Sequence, residues 1–243
     1  RDTSAYYLLG YTSTNPGKDG RFRRIQVRVK GSGLRVEARA GYYADRDFAH
    51  TSRSDRETQL QEQLFAPVSA TDLPVLVAGG WFRLAADRYY VPVDVAVPGG
   101  AIPIASGQSA ATLDVLGMVR DERGSPVGRF RQTLDLPSGA GGRLADRQVL
   151  YQSGVTLPPG RFSVKVVVRE NTTGTMGSFE APVTVPELDR MPVKVSSVVL
   201  STQLQAASSG RREDPLVRDG VRLLPNLTHV VDRDRRLYFY YEV

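Results

Sequence analysis

Leu157-Pro158-Pro159-Gly160-Arg161-Phe162-Ser163-Val164-Lys165-Val166-Val167-Val168 is the stretch that decides the fold of this 243-residue chain. The two prolines remove backbone donors and preset φ, and Gly160 admits conformations closed to other residues, so the chain must turn here. Beyond the turn, Phe162, Val164, Val166 and Val168 recur at every second position, the period of a strand with one covered face. A tight reversal into a valine strand is expected. The same grammar repeats on both sides, with 30 valines punctuated by 23 glycines and 15 prolines. Strands are expected over Leu73 to Leu84, Tyr89 to Val97, Thr112 to Arg120, Arg129 to Leu136, Gln148 to Leu157, Phe162 to Glu170, Gly177 to Val185 and Val193 to Leu200. Short strands at this spacing, separated by turn clusters such as Asp121-Glu122-Arg123-Gly124, predict a β-sandwich.

Nearer the start, Ala5 to Tyr11 is apolar on both faces, as in a strand covered on both sides. A turn follows at Asn15 to Gly20. Ile25, Val27 and Val29 then alternate with Gln26, Arg28 and Lys30, and after Gly31-Ser32-Gly33, Leu34, Val36, Ala38 and Ala40 alternate with Arg35, Glu37 and Arg39. These read as a hairpin with a greasy side and a basic side. Gly41-Tyr42-Tyr43 closes the unit, and the polar run Asp45 to Arg53 reads as a linker. Ser54-Asp55-Arg56-Glu57 has capping-box spacing and opens the one helix expected, with Leu60 and Leu64 on one face and Phe65 beside them. Ala206 to Asp219 is polar and reads as loop. The expected fold is therefore all-β. An N-terminal β-hairpin sheet remnant (1–48) and a linker with one short helix (49–68) precede an immunoglobulin-like β-sandwich (69–202); a loop and a terminal aromatic strand (203–243) follow.

That last strand, Leu237-Tyr238-Phe239-Tyr240-Tyr241-Glu242-Val243, is too apolar to stand without neighbours. It pairs backward within the chain, belongs to a domain cut away, or completes a sheet in another molecule. The residues expected at a strand-pairing interface are Tyr6 and Leu8 at one end and Leu237, Phe239, Tyr241 and Val243 at the other. The chain opens at Arg1 without a methionine or an apolar signal segment, which reads as a processed or truncated product.

The net charge of +6 is local, since residues 18–40 alone carry an excess of that size. Arg24, Arg28, Lys30, Arg35 and Arg39 form a basic patch able to attract acidic polymers, against the plain reading of a solvated hairpin face. Nucleic acid is the less expected ligand, because no aromatic side chains interleave with these cations for base stacking.

Little else points to chemistry. The absence of cysteine excludes disulfides, thiolate metal sites and a cysteine nucleophile. No nucleophile elbow, zinc-protease motif, dinucleotide fingerprint or phosphate loop occurs. The two histidines, His50 and His229, stand apart from carboxylate clusters and make poor metal ligands. Asp45/Asp47 and Asp232/Asp234 are interleaved with Arg46 and Arg233, which favours salt-bridged turns over a calcium loop. Asn171 and Asn226 begin glycosylation triplets. No catalytic residue, metal or cofactor is assigned, and no run approaches the ~18 apolar residues of a membrane helix.

Two blocks carry a family resemblance. Ala5 to Tyr11, Asp19 to Lys30, Gly33 to Val36 and Gly41 to Ala44 resemble the tail of the VWFA-related proteins of acidobacteria, where the block follows a von Willebrand factor A domain. The stretch with Leu150 to Gly154, Leu157 to Gly160 and Ser196 to Leu200 is similar to the β-rich region that follows in those proteins. The resemblance implies a secreted or envelope-associated bacterial protein built for contact, and a terminal strand that opens a further immunoglobulin-like domain. It brings no metal residues, because Asp2-Thr3-Ser4-Ala5-Tyr6 does not satisfy the adhesion motif D-x-S-x-S.

The leading expectation is a non-enzymatic extracellular structural or interaction protein, self-assembling through its terminal strands into a homo-oligomer or filament, or contacting another cell-surface protein. The alternative is a binding module for acidic polysaccharide or nucleic acid through the basic hairpin. A carbohydrate-active enzyme ranks third, and a cleft holding two close carboxylates would favour it.

Overall fold

The structure, a computed structural model, describes residues 10–11, 13–15, 22–30, 41–44, 48, 51–104, 110–137, 144–207 and 214–243. The chain forms two compact units, Arg1–Arg53 and Ser54–Val243. In the first, β1 (Phe22–Arg24) pairs antiparallel with β2 (Gly41–Tyr43), Phe22 opposite Tyr43 and Arg24 opposite Gly41. Val27 and Val29 are 45% and 47% exposed and Ile25 is half-buried, so the described part of the apolar side expected here is not buried; Leu34 to Ala40 lie outside the described residues. A two-stranded hairpin needs a second layer to bury such a face.

The second unit is a β-sandwich with a helix on one side and a small sheet on the other. Its first sheet has the order β10 (Met176–Val185), β9 (Gly160–Glu170), β6 (Ala110–Asp121), β7 (Pro126–Pro137), antiparallel throughout. The second is built on β5 (Arg88–Pro98), which pairs with β8 (Gln148–Leu157) along one edge. β3 (Leu76–Gly79) and β4 (Phe82–Ala85) lie along the other. Alternate residues of the two sheets meet in the main core. Tyr89, Val91, Val93, Val95 and Val97 of β5 face Leu113, Val115 and Val119 of β6 and Phe162, Val164, Val166 and Val168 of β9.

Two expectations need correction here. The turn at Pro158-Pro159 is not a reversal between paired neighbours, because β8 and β9 belong to different sheets. Proline cannot donate to a ladder, so this connection carries the chain from one layer to the other. The strand expected over Leu73 to Leu84 is interrupted. β3 and β4 follow β5 in one register, but at Trp81 the backbone turns away: its N–H donates to Ser197 Oγ (3.0 Å) and its carbonyl accepts from Ser197 N–H (3.1 Å).

The valine run in β9 is buried on both faces, from Val164 to Glu170. Its outer face is covered by α1 (Arg53–Phe65), whose Leu60 and Leu64 pack on Met118 and Val167. The helix starts ahead of Ser54, and Glu57 reaches out to Arg131 (2.8 Å) where a capping box would have turned it back to Ser54. At the other end Lys165 donates to the carbonyl of Ala66, and Arg120 donates to that of Leu64 (3.3 Å). Two cations thus meet the negative end of the helix dipole. Phe65 is exposed and lies 5.3 Å from the Arg120 guanidinium.

The outer face of the second sheet is covered by a third, of order β12 (Val217–Arg218), β13 (Val221–Pro225), β11 (Val199–Ala206), β14 (Tyr238–Tyr240). The strand expected over Val193 to Leu200 begins only at Val199, since Ser197 turns its N–H to the Trp81 carbonyl. Within the run expected to be loop, Val217–Arg218 forms β12, joined to β13 by Asp219-Gly220, both at positive φ (50° and 75°), as a two-residue hairpin turn requires.

Candidate functional site

The terminal strand resolves into two unlike faces. β14 pairs backward with β11, Val199 opposite Tyr240 and Ser201 opposite Tyr238, so the first of the three options read from the sequence holds. The ladder extends through Ser196 N–H to the Glu242 carbonyl (2.9 Å) and Glu242 N–H to Ser196 Oγ (2.8 Å). Inward, Tyr240 packs on Phe82 (ring centroids 5.7 Å apart) within a small cluster containing Tyr90, Leu216, Val199 and Leu223. Its hydroxyl donates to Glu242 Oε1 (2.6 Å) and accepts from Arg218 Nη2 (3.0 Å). Burial, reinforced by Glu242, holds that hydroxyl above the usual tyrosine range.

Outward, the strand is bare. Leu237, Phe239, Tyr241 and Val243 are 49%, 64%, 46% and 88% exposed. The rings of Phe239 and Tyr241 stack nearly parallel (11°, 6.3 Å), and Leu200, the cross-strand partner of Phe239, shares their face. β14 ends the order of the third sheet, so among the described residues no strand lies along its far edge. An edge strand with an apolar outer face is the arrangement that accepts a further strand.

Beneath this sheet lies a second feature. Asp94, on the outer face of β5, is 3% exposed inside the run Val91 to Val97. Gln152 Nε2 donates to its Oδ1 (3.1 Å). Burial pushes the carboxyl up to about 7, against the hydrogen bond from Gln152. Asp94 lines a hollow of about 90 Å³ between the second and third sheets, with Gly80, Ser197, Asn226 and His229. Asp214 faces a different hollow of about 320 Å³, beside Arg83, Arg218 and Glu242, and is held by Arg222 (3.5 Å) and the N–H of Leu216 (3.0 Å). The two acids therefore do not converge on one cleft.

A third cluster ties the helix to the first sheet. Asp114 and Arg169, with side chains 8% and 5% exposed, pair at 2.9 Å. Thr133 Oγ1 donates to Asp114 (2.7 Å), Arg169 Nε donates to Asn171 Oδ1 (3.1 Å), and Arg169 also reaches the carbonyl of Arg56 on α1. Burial pushes Asp114 up, but hydrogen bonds from Thr133, Asn171 and Arg169 outweigh it and hold the carboxyl below the usual range. Glu170 caps the β9–β10 hairpin, accepting from the N–H groups of Thr172 (2.9 Å) and Thr173 (2.7 Å).

Of the residues expected to bind polyanions, Arg24, Arg28 and Lys30 are exposed, whereas Arg35 and Arg39 lie outside the described residues, as do Tyr6, Leu8, His50 and the Asp45/Asp47 pair. Asp232 pairs with Arg235 (3.5 Å), not Arg233. Asn226 is tied into its own turn, donating to the Val230 carbonyl (2.8 Å). Among the described residues no group of three or more histidines or acids is placed to hold a metal, and no helix is long and apolar enough to cross a membrane. Asp94, Tyr240 and the Asp114–Arg169 pair were not singled out from the sequence. An acid inside Val91-Pro92-Val93-Asp94-Val95-Ala96-Val97 was the available signal for the first.

No family model and no curated protein matches this chain. It is similar to a solved putative β-galactosidase from Bacteroides fragilis at 18% identity, over 46% of this chain and 16% of that one, with a TM-score of 0.32. A Bacteroides uniformis β-glucuronidase is similar at 11% identity, over 45% and 13%, with a TM-score of 0.34. A structural-genomics target, SoR45, is similar at 14% identity, over 51% and 93%, with a TM-score of 0.28. The chain thus spans a small part of either Bacteroides protein, and likeness at this level carries no argument about activity.

Proposed function

We propose that this chain is a non-enzymatic interaction module that pairs with a second copy of itself along the far edge of β14. The observation that carries the reading is the bare outward stripe Leu237, Phe239, Tyr241, Val243 on an edge strand. Two copies related by a two-fold axis through Phe239 would set Leu237 opposite Tyr241 and Arg236 opposite Glu242. Aromatic and apolar residues then meet on the outer face and opposite charges at both ends, an isologous and self-complementary contact. This edge alone closes a dimer. Growth into a filament needs a second, different edge, which Tyr6 and Leu8 were expected to supply. The resemblance of the N-terminal block to VWFA-related proteins supports a secreted or envelope-associated setting.

The test is sedimentation velocity on the wild type and on Phe239→Lys/Tyr241→Lys, which keeps Tyr238, Tyr240 and Glu242 in place. The wild type should associate with rising concentration and the variant should stay monomeric. A wild type that remains monomeric throughout, or a variant that associates equally well, overturns the reading.

A second reading, capture of acidic polysaccharide, is favoured by the exposure of Arg24, Arg28 and Lys30. Heparin affinity should fall steeply with salt and collapse in Arg28→Glu/Lys30→Glu. Affinity that is flat across salt rejects it.

A further inference from the structure

We propose that Asp94 is a proton-operated latch: with its carboxyl neutral the third sheet stays docked on the second, and with the carboxyl ionised that sheet is loosened, taking the β14 edge out of register for pairing. The consequence for assembly rests on the edge-pairing reading above; the latch itself does not.

The geometry sets this up. Asp94 points from the outer face of β5 toward the third sheet, and the hollow it lines is closed on that side by Ser197, Val199 and Leu200 and by Asn226 and His229. Its burial is therefore a product of docking. When the sheet lifts, water reaches the carboxyl. The apolar seal is small, with Phe82, Tyr90 and Leu216 the buried members of the cluster that joins the two sheets.

Among the described residues no cation pairs directly with Asp94, and Arg222, whose charge reaches it, is held by Asp214. β8 offers the neutral amide of Gln152, and the facing residues Ser197 to Leu200 carry no charge. From the β12–β13 side come Asp214 and Arg222, opposite in effect on Asp94 and paired with each other. His229 stands at the rim of the hollow on an exposed turn. Burial thus dominates, and Asp94 holds its proton up to about 7 where an ordinary aspartate releases it near 3.8. The sign follows: docking is favoured below the ordinary value and weakened as pH rises through 7. By linkage the docking equilibrium should fall about fiftyfold between pH 5 and pH 7 and change little above pH 8.

Amide hydrogen exchange tests the latch in the Phe239→Lys/Tyr241→Lys background, where association cannot contribute. Exchange of β11, β13 and β14 amides is expressed relative to β6 and β9 amides of the same sample, which removes the intrinsic pH dependence. That relative protection should drop by one to two orders of magnitude from pH 5 to pH 8, and stay flat when Asp94→Asn is added. Constant relative protection in the parent, or an equal drop with Asp94→Asn, overturns the latch. Should Asp94→Asn not fold, carbon-13 titration of the parent's carboxyls decides. A carboxyl titrating near neutrality supports the latch, and all carboxyls titrating below pH 5 overturn it. Failure of self-association in the wild type, with the exchange switch intact, refutes edge pairing and leaves the latch standing.

Discussion

Replacing Asp114 with asparagine tests whether its buried pair with Arg169 is a structural clasp. The variant leaves the Arg169 guanidinium, 5% exposed, without its anionic partner at 2.9 Å. Breaking a buried pair from one side costs ~3–5 kcal/mol. Because Arg169 retains the carbonyl of Arg56 and the amide oxygen of Asn171, the lower end applies, about 3 kcal/mol. Removing both charges with Asp114→Leu/Arg169→Met strands no ion and should cost about 1 kcal/mol or less. Urea unfolding at pH 7 measures both. The pH dependence adds a signed check. Asp114 is held below its usual range, so its stabilisation is present above the ordinary aspartate value of 3.8 and is lost as pH falls through the lowered one. The gap between wild type and Asp114→Asn should accordingly narrow in acid. A double variant as unstable as Asp114→Asn, or a gap constant from pH 7 to pH 3, refutes the clasp.

Three further outcomes are expected. Asp94→Asn should make global stability less dependent on pH and raise it at pH 8 by up to about 4 kcal/mol, read from urea midpoints, because the buried carboxyl no longer ionises. Leu60→Ala, at a position with 0% exposure between α1 and the first sheet, should cost about 3 kcal/mol in thermal unfolding followed by circular dichroism. Gly177→Ala should cost about as much, since its Cβ would fall 1.8 Å from the backbone carbonyl oxygen of Leu73, which cannot swing away; Gly79→Ala, whose nearest neighbour lies at 3.4 Å, should be tolerated within about 1 kcal/mol.

Much of the sandwich was legible because strand information is local. The bounds expected for Gln148 to Leu157 coincide with β8, and those for Phe162 to Glu170 fall within two residues of β9. Alternation tells which side chains share a face, and prolines and glycines mark where a ladder must stop. The interruption at Trp81 was not legible, because it is imposed by Ser197, more than a hundred residues away. Glu57 misled for the same reason: its spacing from Ser54 suits a cap, and a distant guanidinium outbid it.

The candidate site divides along the same line. The aromatic run Leu237 to Val243 stood out in the sequence by its apolarity, and its odd-numbered residues are the exposed ones. Whether those residues would be covered, and that β11 takes their inner edge, depended on how three sheets stack. Asp94 is the sharper case: the apolar run around it hints at a strand covered on both faces, but only the third sheet closing over it buries the acid. The order of residues thus determined most strands of the sandwich and the alternation of their faces, both set by neighbours a few positions apart. The tertiary structure alone decided which faces meet water, and so which acid keeps its proton, because desolvation depends on atoms brought together from remote parts of the chain.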